Sequence, residues 1–186
     1  MKITVFGSSK PQPGQPAYQN AMRLGRLIAE GGHTVLTGGY MGIMEAVSRG
    51  AAEAGGHVIG VTCEEIERWR KNGPNPWIKE EWRCQTLIER IQRLIYSCDA
   101  AIALPGGVGT LAEATLYWNL LVIRALPPRP LVLVGSEWKN IFETIRQEMA
   151  EAANPQDWDK ILFASEIDQA YLFAVNQKPK LQDNVS

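Results

Sequence analysis

Five short apolar runs, each followed by a longer stretch of helical character, constrain this chain more than any other feature. The runs are Ile3–Gly7 (ITVFG), His33–Gly39 (HTVLTGG), His57–Thr62 (HVIGVT), Ala100–Gly107 (AAIALPGG) and Pro130–Ser136 (PLVLVGS). Between them lie amphipathic stretches such as the one from about Tyr18 to Glu30, closed by Gly31-Gly32, and Met41–Gly56, closed by Gly55-Gly56. Glycine pairs stop helices because they reach the left-handed conformation of a C-terminal cap. Strand-like runs alternating with helices of ten or more residues predict βαβ units. Runs apolar on both faces predict a buried parallel sheet. The expected fold is α/β: a doubly wound, mostly parallel, Rossmann-like sheet in three α/β/α layers. One domain over residues 1–176 is expected, followed by a polar tail at 177–186. Glu64–Arg83 is charged and carries three tryptophans, and it reads either as a covering loop or as a short strand with a lid.

Bulk properties exclude several classes. The chain has 186 residues, 45% hydrophobic and 21% charged, with net charge −1. Such a balance offers no footprint for nucleic acid or a membrane surface. No apolar run reaches the roughly 20 residues that span a bilayer, and the start of the chain lacks the apolar core of a signal peptide. Cys63, Cys84 and Cys98 are widely spaced, which reads as reduced thiols in a cytoplasmic protein. No metal site is expected. His33 and His57 open strands, so they fall at the end of the sheet away from ligands.

Three strand ends carry small or glycine-rich sequence: Gly7, Ser8 and Ser9; Thr37 to Gly42, with Gly38, Gly39 and Gly42; and Pro105 to Thr110, with Gly106, Gly107, Val108, Gly109 and Thr110. In a parallel sheet all three emerge on one edge. The latter two enter helices, whose free N–H groups and positive dipole end favour an anion. A triphosphate loop would need a lysine after its last glycine, where Thr110 stands. A dinucleotide reading fits the spacing of Gly107, Gly109 and Ala112, but the motif lies mid-chain, and no acid ends the next strand to take a ribose. A monophosphate is the better match.

Glu113 falls on the apolar arc with Leu116, Tyr117 and Leu120, one turn beyond the third loop. It either complements the helix N-terminus or serves as a buried functional carboxylate. Upstream, Arg90 borders the apolar arc of Leu87–Cys98, whereas Arg93 points outward and is expected to pair with Glu89 at i, i+4.

Taken together, TGGYMGIMEAVSRGA and LPGGVGTLAE resemble the LOG family, once widely labelled lysine decarboxylase-like. Pro105–Glu113 matches each fixed position of the family pattern P-G-G-x-G-T-x-x-E, and Arg90 with Cys98 and Asp99 matches its arginine signature. The resemblance runs from about Lys2 to Gly135. It implies a homodimeric, Rossmann-like enzyme without metal or cofactor. Such an enzyme cleaves the N-glycosidic bond of an AMP-like nucleoside 5′-monophosphate to free base and ribose 5-phosphate. By carry-over Arg90 and Glu113 are the catalytic pair, Gly106–Thr110 holds phosphate, and Gly38–Gly42 with Gly7–Ser9 line the pocket. The chain departs from plant-type members at Val108, Ala112 and Ile91, where they carry tyrosine, glutamate and lysine, and at Glu45, where they carry glycine. Some relatives bearing GGxxGxMEAVSRGA are described as nucleotide- or molybdenum-cofactor-binding proteins, so a non-catalytic carrier is the alternative. Decarboxylation is set aside, because it normally uses a pyridoxal-linked lysine and none is read in or beside these loops.

Overall fold

In the computed structural model, residues 1–68, 73–152 and 154–176 are described; the expected polar tail and part of the Trp69–Trp82 stretch lie outside them. The strands are β1 Lys2–Phe6, β2 Thr34–Thr37, β3 Val58–Cys63, β4 Glu80–Cys84, β5 Ala100–Ala103, β6 Leu131–Val134 and β7 Leu162–Ala164. They form one sheet in the order β4-β3-β2-β1-β5-β6-β7, and every neighbouring pair is parallel. The helices are α1 Pro16–Glu30, α2 Ile43–Glu53, α3 Glu64–Glu67, α4 Leu87–Tyr96, α5 Val108–Val122, α6 Ser136–Glu148 and α7 Ile167–Asn176.

The period-2 alternation of a strand assigns each helix to a side. Ile3 and Val5 of β1, with Ala100 and Ile102 of β5, pack under α1, α2 and α7, through residues such as Leu24, Val47 and Ala170. Phe6, Ala101 and Ala103 point the other way, against Leu94 of α4, Tyr117 of α5 and Phe142 of α6. Both faces are therefore apolar and covered, which makes the chain a doubly wound α/β three-layer structure. Each fully buried Leu, Ile or Phe contributes about 1.5–3 kcal/mol. On the first face α1 and α2 meet backbone to backbone. A Cβ on Gly25 would lie 2.1 Å from the Val47 carbonyl oxygen, and one on Gly50 would lie 1.9 Å from that of Met22.

The order of strands places a switch point at β1. The chain winds outward through β2, β3 and β4, then returns to add β5 on the other side. A crevice opens at the carboxyl ends of strands where the winding reverses, here between β1 and β5.

Within the described part of the charged region, α3 follows β3 directly and β4 is an edge strand of the sheet. Arg83 on β4 pairs with Glu67 at 2.7 Å and Glu64 at 3.5 Å. Two further elements, β7 and α7, extend the other end. Arg93 corrects its sequence reading. Its guanidinium lies 5.0 Å over the Trp82 ring, while Glu89 completes a capping box with Thr86 at the start of α4. His57 sits 3.0 Å from Glu80, and all three cysteines are buried and free. No helix among the described residues is long and apolar enough to cross a membrane.

Candidate active site

The loops after β1 and β5 meet at the switch point. The Ser8 N–H donates to the Pro105 carbonyl at 3.3 Å, and the Ile43 N–H at the start of α2 donates to the Ser8 carbonyl at 2.8 Å. Above them lies a cavity of about 560 Å³. Of the residues singled out in the sequence, Gly7, Ser8, Ser9, Gly38, Gly107, Val108, Gly109, Thr110, Arg90 and Glu113 line it. Gly39, Gly42 and Gly106 do not line it.

Arg90 and Glu113 come from different helices and meet at the cavity wall. The Arg90 side chain is 6% exposed and that of Glu113 12%, with Nη1 3.6 Å from Oε1. At that separation they form an ion pair, not a hydrogen bond. The rest of the guanidinium is anchored by backbone: Nε donates to the Val61 carbonyl at 2.8 Å and Nη2 to the Gly38 carbonyl at 3.0 Å. The Tyr40 ring lies 5.5 Å from its centre. A buried arginine is tolerable because these partners offset its desolvation. Burial pushes the Glu113 carboxyl up to about 7, and the nearby Arg90 charge opposes that rise. A carboxyl that titrates near neutrality can exchange protons with a reacting group. Arginine cannot give up its proton at these pH values, so Arg90 orients and supplies charge.

The glycines divide by what a side chain would meet. A Cβ on Gly38 would lie 1.7 Å from Arg90 Nη2, and one on Gly106 2.2 Å from Thr110 Oγ1. Gly42, at φ +71, would set its Cβ 2.5 Å from the Ser8 carbonyl oxygen. At Gly107 and Gly109 nothing lies within 4 Å. These two glycines are not demanded by packing, and their open side is the cavity. Gly107 caps α5 without any side-chain cap. The N–H groups of the first turn of a helix have no intrahelical acceptor, and such a helix end is suited to an anion.

Lys10, Met44, Ile66 and Leu87 are lining residues that the sequence reading missed, whereas Tyr40, inside the Gly38–Gly42 loop, and Ile91, a departure from the family pattern, were within it. The first is a correction: a lysine does stand beside the glycine loops, directly after Ser9. Leu87 flanks Arg90 on the same helix and could have been inferred once Arg90 was assigned inward. Met44 and Ile66 carry no sequence signal that separates them from core. Among the described residues, no group of three or more His, Cys, Asp or Glu is placed to hold a metal ion.

The chain is 34% identical over 131 residues to cytokinin riboside 5′-monophosphate phosphoribohydrolase LOG of Oryza sativa, covering 68% of this chain and 52% of that one. It thus spans about half the length of this rice relative. It is 28% identical over 174 residues to the cytokinin riboside 5′-monophosphate phosphoribohydrolase of Rhodococcoides fascians, covering 90% of this chain and 86% of the other. Among solved structures, the molybdenum cofactor binding protein of Rippkaea orientalis superposes with a TM-score of 0.67 at 25% identity, over 90% of each chain. Residues 1–157 match the model of the SLOG cluster4 family. On that match, and with these relatives, the chain belongs to the SLOG cluster4 family, among the LOG-like proteins.

Proposed function

We propose that this protein hydrolyses the N-glycosidic bond of a nucleoside 5′-monophosphate, releasing free base and ribose 5-phosphate. The observation that carries the reading is the buried Glu113 carboxyl, 3.6 Å from a backbone-anchored Arg90, in the same cavity as two glycines whose Cβ positions are open. The phosphate sits against the first turn of α5, with Gly107 and Gly109 permitting close approach and Ser8, Ser9 and Thr110 near it. That seating presents the ribose to Glu113, one helical turn further on. As the bond from the anomeric carbon to the base nitrogen breaks, positive charge builds on the sugar. Glu113 stabilises that charge and takes a proton from the attacking water, whose oxygen bonds to the anomeric carbon. The base leaves with the bonding electrons and gains a proton from solvent. Arg90 fixes the carboxylate and keeps part of it ionised near neutral pH. The named activity of the rice and Rhodococcoides relatives supports this reading.

A second copy of the chain would cover apolar side chains left exposed on and beside α4 and α5: Ile88 is 63% exposed, Val108 85% and Ile123 61%. Light scattering should give a dimer, and a monomer would overturn that assignment.

A second reading has its own support, since a molybdenum cofactor binding protein matches 90% of each chain. In that reading the pocket carries a phosphorylated ligand without cleaving it. Chromatography of base released from a panel of nucleoside 5′-monophosphates, with Glu113→Gln alongside, separates the two. Release by the parent and not by the variant supports the hydrolase. Tight binding without release from any member of the panel supports the carrier.

A further inference from the structure

We propose that Lys10 is the residue by which this pocket distinguishes a phosphorylated ligand from the same ligand without its phosphate. The inference deepens the nucleotide reading of the pocket and rests on it. Among the described residues, three charged side chains line the cavity: Lys10, Arg90 and Glu113. Arg90 and Glu113 face each other at 3.6 Å, and the remaining Arg90 donors named above go to backbone carbonyls. That pair is neutral as a unit when Glu113 is ionised. The net positive charge of the lining is then carried by Lys10, which forms no ion pair with the described residues.

The root of Lys10 is fixed while its head is free. Its backbone N–H donates to Ser8 Oγ at 3.1 Å, and its carbonyl accepts from Gln12 Nε2 at 3.2 Å. These bonds hold the residue where the loop after β1 borders the cavity. The exposed four-carbon stem can carry its ammonium to an anion as a mobile point charge. The first turn of α5 borders the same cavity and adds about half a positive charge. A phosphomonoester brings between about −1.5 and −2 at pH 7, so it gains from both. A nucleoside lacking the phosphate gains nothing from Lys10. The Lys10 contact thus acts on affinity and leaves the bond-breaking step to Glu113.

The test uses adenosine 5′-monophosphate and adenosine as probes, titrated calorimetrically into the parent, Lys10→Met and Lys10→Arg proteins at low and high salt, with base release measured in parallel. Lys10→Met should weaken the monophosphate by about tenfold, as expected for losing one exposed charge-assisted contact, and flatten its salt dependence. Adenosine binding should stay within about twofold, and Lys10→Arg should keep most of the affinity, because the guanidinium retains the positive charge. Unchanged monophosphate affinity in Lys10→Met overturns the inference even if the parent releases base. So does equal weakening of both probes, which would report a disturbed loop, or a parent that binds no monophosphate. If the parent binds the monophosphate in a Lys10-dependent way yet releases no base, the inference stands and the hydrolase reading fails.

Discussion

The two glycine loops that open into α2 and α5 look alike in sequence and serve different ends. In Gly38–Gly42 the space of each missing Cβ is already claimed by the protein. Arg90 Nη2 takes it at Gly38, the Thr62 methyl crowds it at Gly39, and the backbone of Ser8 and Ser9 takes it at Gly42. In Gly106–Thr110 only Gly106 is claimed, by Thr110, while Gly107 and Gly109 face open space. The first loop is glycine-rich because the buried arginine, β3 and the loop after β1 all press against its backbone. The second is glycine-rich where the fold does not require it, beside free helix N–H groups. Glycine clustering therefore marks where backbone comes close to something; the space at each Cβ tells whether that something is protein.

Substitution at Gly38 should have the largest effect. Gly38→Ala would push the guanidinium off the Val61 and Gly38 carbonyls, and a displacement of about 1 Å at a reacting centre can cost about a hundredfold in rate. Base release should fall by at least that much. Thermal unfolding should show a loss of about 2 kcal/mol, the scale of a disturbed buried charged hydrogen bond. A variant of normal activity would show that Arg90 need not be held there. Gly109→Ala should behave in the opposite way. Nothing opposes the added methyl within the protein, and alanine is the better helix former by up to about 1 kcal/mol. The melting temperature should hold or rise slightly, while monophosphate binding weakens by about tenfold, since a side chain would stand between the backbone and the phosphate. A loss of stability without loss of binding would make the second loop structural like the first.

The same contrast shows how far the sequence could be read. Strands β1, β2, β3, β5 and β6 were legible because burial on both faces leaves continuous apolar runs. β4 was not, because an edge strand can carry charge: Glu80, Glu81 and Arg83 hide the pattern, and edges are commonly protected in this way. β7, only Leu162–Ala164, is too short for any period to show. At the site, Glu113 was legible because a lone carboxylate on an apolar arc is conspicuous. Arg90 was ambiguous because the groups that make its burial tolerable lie 29 and 52 residues away in sequence, and no local pattern records them. Arg93 is structural, as its outward position indicates, but the partner that its i, i+4 spacing offers, Glu89, is taken by the capping box that Thr86-x-x-Glu89 spells. Lys10 was passed over because an exposed lysine after a loop looks like any other.

If Glu113 is kept in the cavity wall for chemistry, its burial comes at a cost to the fold. Its carboxyl titrates at about 7 in the folded protein against an ordinary 4.5, so the folded state holds the extra proton between those values. The stability tied to that proton is full below about 4.5 and is lost as pH rises through about 7. Above that, ionised Glu113 destabilises the fold by on the order of 3 kcal/mol. The direct measurement is the melting temperature of the parent and of Glu113→Gln across pH 5 to 8. The variant should melt about 5 °C or more above the parent at pH 8, given about 2–4 °C per kcal/mol for a chain of this size, and the gap should narrow toward pH 5. A variant that melts below the parent at pH 8 would contradict that cost, and would make the carboxylate a structural partner of Arg90 instead.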